Sequence, residues 1–113
     1  MNTMNFYIGN SVNEININDY NVELDDDLMS IINDLTKKIN IDFSVLYDID
    51  PYDDVVISND RLTKLLDVIK NILSSNLLIE YSDYDTLKNT LTDLIKLINK
   101  AIFLRTNLIS IGD

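Results

Sequence analysis

The chain has 113 residues and a formal net charge of −10, and it contains no His, Cys or Trp. The absence of His and Cys removes the usual general base near neutral pH, the most readily activated nucleophile and the preferred zinc ligands. Catalysis would then depend on carboxylates, Tyr, Lys and hydroxyl groups alone. The composition therefore predicts a binding protein rather than an enzyme, with no metal and no cofactor.

The acidic residues are concentrated in the first half of the chain. Residues 1–60 hold 13 of the 19 Asp and Glu residues and only two basic ones, Lys37 and Lys38, whereas residues 61–113 hold six acidic and seven basic residues. A strongly negative surface attracts basic proteins and repels nucleic acid and anionic membranes. We expect a basic protein as the partner, with no direct nucleic-acid contact and no membrane association.

The length is typical of one domain, so residues 1–113 are predicted to form a single unit with one core. Residues 1–5 offer neither the basic region nor the apolar stretch of a signal peptide, which predicts a cytoplasmic protein. The longest apolar runs are too short to span a bilayer.

The first 24 residues show signs of extended structure. Residues 5–9 are aromatic and β-branched and end at Gly9. Residues 12–23 alternate apolar and polar side chains around a possible turn at Asn18 and Asp19. Both stretches are therefore candidates for strands.

A first helix is predicted after residue 24. Asp25 is a suitable N-cap, and Asp26 and Asp27 fall in the first turn, where the helix dipole favours negative charge. The apolar residues that share one face of this helix are Leu28, Ile31, Ile32, Leu35 and Ile39. Capping and dipole effects alone could explain the acidic cluster, and partner binding is the other explanation.

Two further helices follow. The second begins at a cap offered by Ser58 or Asp60 and ends near residues 74–76. The third and longest begins at Ser82 or Asp83, and its wide apolar stripe predicts a central position. Residues 107–112 alternate and are predicted to pair with residues 5–9, while residues 55–57 are too short to separate strand from loop.

These elements predict a mainly α fold, a compact three-helix bundle with minor β-structure from the termini, with an α+β fold as the alternative.

The densest polar segment, residues 48–54, has four Asp residues around the only proline. It does not fit a calcium loop, which would need a glycine where Asp53 stands and a glutamate where Asn59 stands. A turn begun at Asp50, with the Tyr52 ring packed against the bundle, is the structural explanation. A carboxylate-based hydrolase using Asp48, Asp50, Asp53 or Asp54 is the catalytic one.

A binding surface is the third explanation, because carboxylates form charge-assisted bonds to Arg and Lys and tyrosines add rigid contact area. Such a surface would suit the basic cleft of a protein that acts on polyanions. The predicted partner-binding residues are Asp25, Asp26, Asp27, Tyr47, Asp48, Asp50, Tyr52, Asp53 and Asp54.

Residues 46–59 carry a more specific signal. The stretch from Leu46 through Ile49, Asp50 and Tyr52 resembles the Leu-x-x-Ile-Asp-Pro-Tyr-x-Asp-Thr segment of small immunity proteins from bacterial polymorphic-toxin and contact-dependent growth inhibition systems, with Val55 where Thr is usual. Residues 6–11 and 108–113 also look like the ends of such proteins.

The resemblance implies a cytoplasmic, helical immunity protein that binds and neutralises the basic C-terminal domain of one cognate toxin, commonly a nuclease. Occlusion of the toxin's active or substrate-binding surface would need no catalysis. The alternatives are a phage-type inhibitor or nucleic-acid mimic that acts on a host protein, the hydrolase, and a purely structural role.

Overall fold

A computed structural model of the chain describes residues 3–47, 49–50 and 52–112. Within that part of the chain there are four β-strands, four α-helices and two short 3-10 helices. The strands are β1 (Thr3–Gly9), β2 (Val22–Asp25), β3 (Val55–Ile57) and β4 (Asn107–Ile111). The α-helices are α1 (Asp26–Thr36), α2 (Ser44–Tyr47), α3 (Asn59–Ser74) and α4 (Tyr84–Leu104), and the 3-10 helices are Val12–Glu14 and Asn76–Glu80.

The four strands form one antiparallel sheet in the order β2-β1-β4-β3. The register places Thr3 opposite Asp25, Tyr7 opposite Ile109 and Val55 opposite Ser110. The two strands from the chain termini, β1 and β4, therefore lie at the centre. The two short strands from the interior of the sequence, β2 and β3, lie at the edges.

The helices cover one face of this sheet. Side chains alternate along a strand, so Met4 and Phe6 of β1 point into the core with Leu108 of β4. Both α3 and α4 pack against this face and against each other. Six apolar residues of α4 are buried there: Leu87, Leu91, Leu94, Leu97, Ile98 and Ala101.

The opposite face of the sheet is only partly covered. Tyr7 and Ile109 face each other across β1 and β4 on this side and are both buried. Ile15, from the segment that connects β1 to β2, reaches over Gly9, where a Cβ would lie 2.8 Å from Ile15 Cδ1. Val56 of β3 remains 43% exposed on the same face.

The prediction of a mainly α three-helix bundle is wrong, because four strands form a complete antiparallel sheet and the fold is α+β. The three predicted helices are confirmed as α1, α3 and α4, and the pairing of the terminal segments is confirmed as β1 with β4. The sequence did not predict a four-stranded sheet because its edge strands are short: β2 has four residues and β3 has three. Strands that short show no clear period of two and depend on the neighbouring strand.

None of the helices in the described ranges is long and apolar enough to cross a membrane.

Candidate protein-binding surface

The two acidic segments predicted from the sequence lie at the same end of the sheet. Asp25 is the last residue of β2 and Val55 the first of β3, and the antiparallel register brings both to the end where β1 begins and β4 finishes. Since β2 and β3 are the two edges, three strand spacings of about 4.8 Å each, or roughly 14 Å, separate the segments. We call this surface the acidic end, and define it as Asp25, Asp26, Asp27, Asp50, Tyr52, Asp53 and Asp54.

The first segment of the acidic end is partly structural. The Asp25 carboxylate accepts a hydrogen bond from the Leu28 N–H at 3.0 Å, which confirms the predicted N-cap of α1. Asp26 and Asp27 occupy the first turn, where they interact favourably with the helix dipole. Only Asp27 is fully exposed, and it is the residue of the three best placed to meet a partner.

The second segment is a turn closed by its own carboxylates. Asp50 Oδ1 accepts the Tyr52 N–H at 2.8 Å, and Asp53 Oδ1 accepts the Asp54 N–H at 2.8 Å. Asp54 Oδ1 accepts the Gly112 N–H at 3.2 Å, which attaches the turn to the end of β4. All three Asp residues are exposed, and the bonds named here use only the Oδ1 atom of each.

One of the explanations for Tyr52, a ring packed against the helices, is wrong. The side chain is 67% exposed on the turn that precedes the edge strand β3. An exposed tyrosine beside carboxylates offers rigid contact area at low entropy cost. Its place among the partner-binding residues stays a prediction.

Gly112 is a residue of this site that sequence reasoning missed. A Cβ at Gly112 would lie 2.5 Å from both the backbone N and the backbone O of Asp53. No L side chain fits that space, so the lack of a side chain at residue 112 allows the turn to pack against β4. The signal in the sequence was the rarity of glycine, since the chain has only two.

Two of the predicted site residues cannot be placed. Asp48 lies outside the described residues, and Tyr47 is the last residue of α2 with a side chain that also lies outside them.

Four carboxylates of the acidic end, those of Asp27, Asp50, Asp53 and Asp54, have no basic partner among the described residues. Two ion pairs lie elsewhere, Lys38 with Asp34 at 3.3 Å and Lys64 with Asp42 at 2.8 Å. Neither pair involves Asp27, Asp50, Asp53 or Asp54, and no described Lys or Arg lies within ion-pair distance of these four. These four carboxylates therefore present uncompensated negative charge.

The position of α1 is fixed by a polar contact at its other end. The Asp34 carboxylate accepts a hydrogen bond from the Tyr81 hydroxyl and pairs with Lys38. The bond from Tyr81, followed by the one from Lys38, holds the pKa of Asp34 below its ordinary value. The same bond raises the pKa of the Tyr81 hydroxyl. The contact ties α1, and with it the first acidic segment, to the chain just before α4.

The acidic end does not have the form of a carboxylate active site. General acid and base pairs need an apolar wall and a concave pocket, and the three Asp residues of the turn are exposed. Within the described ranges, no three acidic side chains are grouped so that they could hold a metal ion. The arrangement can form charge-assisted hydrogen bonds to Arg and Lys of another protein.

Searches against family models, curated proteins and solved structures each give no significant match. The likeness of residues 46–59 to the immunity-protein segment stays a prediction, and the function has to be inferred from the geometry of the chain itself.

Proposed function

We propose that this protein is a stoichiometric inhibitor of the immunity type, which binds the basic C-terminal domain of a cognate toxin and covers its active or substrate-binding surface. The observation that supports the proposal is the convergence of two acidic segments, 25–27 and 50–54, at one end of the sheet. Segments so far apart in sequence form one surface only because β2 ends there and β3 begins there.

The charge and spacing of the acidic end suit a basic cleft. Two acidic clusters roughly 14 Å apart can reach both walls of a groove wide enough for a nucleic-acid strand, and Tyr52 lies beside one of them. Opposite charges on the two partners also accelerate their encounter. A nuclease domain, whose cleft binds phosphates, is the partner class that fits best.

Inhibition in this form needs no chemistry from the inhibitor. The exposed carboxylates occupy positions that phosphates would otherwise take, and the sheet behind them provides a rigid base. A nucleic-acid mimic would instead carry a continuous stripe of carboxylates spaced like phosphates. The described acids form two clusters, which favours local complementarity to one partner. We propose that the protein acts in the cytoplasm of the cell that makes the toxin.

The test is co-purification of the tagged protein with the C-terminal domain encoded by the adjacent upstream gene, across a salt series. We expect one-to-one capture that weakens with salt, together with protection of cells that express the domain. Absence of both capture and protection at low salt would overturn the immunity proposal.

Two triple variants locate the interface. Asp27→Asn, Asp53→Asn and Asp54→Asn remove three charges but keep an acceptor oxygen for the local backbone bonds. Asp67→Asn, Glu80→Gln and Asp93→Asn remove the same charge from exposed positions on the helical side. We expect the first triple to weaken binding by roughly tenfold or more and to flatten its salt dependence, and the second to change binding by less than about twofold. The reverse result would place the interface on the helices.

A further inference from the structure

A cavity of about 230 Å³ lies between the sheet and the helices. Its floor includes Met4 and Phe6 of β1, its far wall is formed by α3 and α4, and α1 covers it with Met29 and Ile32. Twelve of the fourteen residues that line it are apolar. The cavity is therefore a predominantly apolar space that reaches from the core to the surface at α1.

The volume is large for a domain of this length. Protein interiors are packed about as densely as organic crystals and contain few voids larger than a water molecule. An aliphatic cavity of about 150 Å³ made by mutation stays dry and binds benzene. The cavity here is larger and its lining is mostly apolar, so an apolar molecule that enters it gains dispersion contacts with most of its walls.

The lining also determines which ligands can enter. No charged residue lines the cavity, and its two polar residues, Asn33 and Thr36, both belong to α1. Asn33 is the one exposed residue of the lining, so the cavity meets solvent on that side. The Thr36 hydroxyl donates to the Asn33 carbonyl oxygen at 2.7 Å and keeps its own oxygen as an acceptor. An ionised group would lose its hydration without a partner of opposite charge.

Two methionines make the wall adaptable. Met4 and Met29 are unbranched and can change rotamer to fit ligands of different shape. Met29 and Ile32 of α1 are themselves only half-buried. The helix therefore lies over the cavity without filling it.

We propose that this cavity is a binding site for a small, neutral, predominantly apolar molecule with a single uncharged polar group, which enters beside Asn33 and directs that group toward Asn33 and Thr36. Candidates by chemistry are medium-chain alcohols and bicyclic aromatic compounds. The site does not use the acidic end, and the proposal goes beyond the inhibitory function and does not depend on it.

The test uses decanol and decanoate as probes, because they share an alkyl chain and differ in charge. Each is titrated into the full chain while the methyl resonances of Ile and Leu are followed by NMR. We expect saturable shifts with decanol at Ile69 and Ile72, which line the cavity. Decanoate at neutral pH should bind at least about tenfold more weakly than decanol. Equal binding of the two probes would overturn the assignment of a neutral ligand.

A matched pair of variants tests whether decanol binds in the cavity. Ile31 and Ile32 are adjacent half-buried residues of α1, and only Ile32 lines the cavity. Ile32→Phe should fill the space and weaken decanol binding about tenfold or more, whereas Ile31→Phe should leave it within about twofold. Met29→Phe is the second filling variant if Ile32→Phe does not fold. Absence of saturable decanol binding, or binding unchanged in a folded filling variant, would overturn the site.

Discussion

Two helices of this protein are held in place by different means. Helix α4 has 21 residues and buries six apolar side chains against both the sheet and α3. Helix α1 has 11 residues and buries only Leu28 and Leu35. Its other apolar residues, Met29, Ile31 and Ile32, are half-buried, and Met29 and Ile32 lie over the cavity.

Polar contacts compensate in part for this looser packing. Asp25 caps the start of α1, and Asp34 is bound by Tyr81 and Lys38 near its end. The same helix carries two of the acidic residues proposed to meet a partner, Asp26 and Asp27, and covers the cavity proposed to bind a ligand. Regions with few buried contacts open at low free-energy cost, which suits surfaces that adapt on binding. The comparison assigns stability to α4 and adaptability to α1.

The largest expected effect is the loss of stability when a buried side chain of α4 is truncated, compared with the same truncation in α1. Ile98→Ala in α4 removes a side chain that is fully buried, and it should lower the free energy of unfolding by about 2–5 kcal/mol. Ile31→Ala in α1 truncates the same residue type where it is half-buried, and should cost about 1 kcal/mol. Urea denaturation with unchanged m-values measures both. Equal losses would show that α1 is packed as firmly as α4.

The turn of the acidic end is held against β4 at a glycine. Gly112→Ala places a methyl group against the Asp53 backbone, which should cost about 1–3 kcal/mol and displace residues 52–54. Gly9→Ala is the matched control, because its nearest neighbour is the end of the Ile15 side chain, which can rotate away. We expect a cost below about 1 kcal/mol for the control. Denaturation curves give the stabilities, and backbone NMR shifts at residues 52–54 report the turn.

The N-cap residues of α1 and α4 provide a second comparison, with a smaller expected effect on stability. Asp25 accepts the Leu28 N–H at the start of α1, whereas Asp83 precedes α4 without a capping bond from its side chain. Asp25→Ala should therefore destabilise the protein by about 1 kcal/mol, and Asp83→Ala by a few tenths at most. Thermal denaturation of both variants tests the difference. A loss at Asp83 as large as that at Asp25 would mean that the observed bond contributes little.

The sequence predicted the parts of this protein that depend on local patterns. The cap at Asp25 and the helices around Leu62 and Leu94 follow from spacing within one segment, and all are present. The bounds of the edge strands could not be predicted from residues 12–23 and 55–57, because Val22 and Val55 become strand residues only through pairing with β1 and β4. The turn bonds of Asp50 were predictable from its own chemistry.

The arrangement of the candidate site required the sheet. Nothing in the sequence shows that Asp27 and Asp53 share one surface, since that depends on which strands lie at the edges. The need for glycine at residue 112 likewise arises from contact with Asp53, a residue distant in sequence. The cavity could not be predicted at all, because it results from how Ile32 and its neighbours fail to fill space.

The smallest expected effect concerns the pH dependence of α1. The pKa of Asp34 is lowered in the folded protein, first by the Tyr81 hydroxyl and then by Lys38. A carboxylate whose pKa is lower in the folded state stabilises the fold above its unfolded pKa, about 4, and loses that contribution as the pH falls through the folded value. The difference in melting temperature between the natural protein and Asp34→Asn should therefore narrow as the pH falls below about 4. All other carboxylates titrate in both proteins and largely cancel in that difference.

Two further variants separate the partners of Asp34. Asp34 makes the melting temperature depend on pH below about 4. Tyr81→Phe should reduce that dependence more than Lys38→Gln does, because the hydrogen bond from Tyr81 is the larger cause of the lowered Asp34 pKa. Tyr81 affects stability at alkaline pH instead. Because its pKa is raised in the folded protein, its hydroxyl stabilises the fold below the unfolded pKa of about 10, and this contribution is lost as the pH rises above that value. A constant difference between the natural protein and Asp34→Asn across the acid range would show that this contact does not hold α1. The few buried residues of α1, with the Asp25 cap, would then have to hold the helix over the cavity.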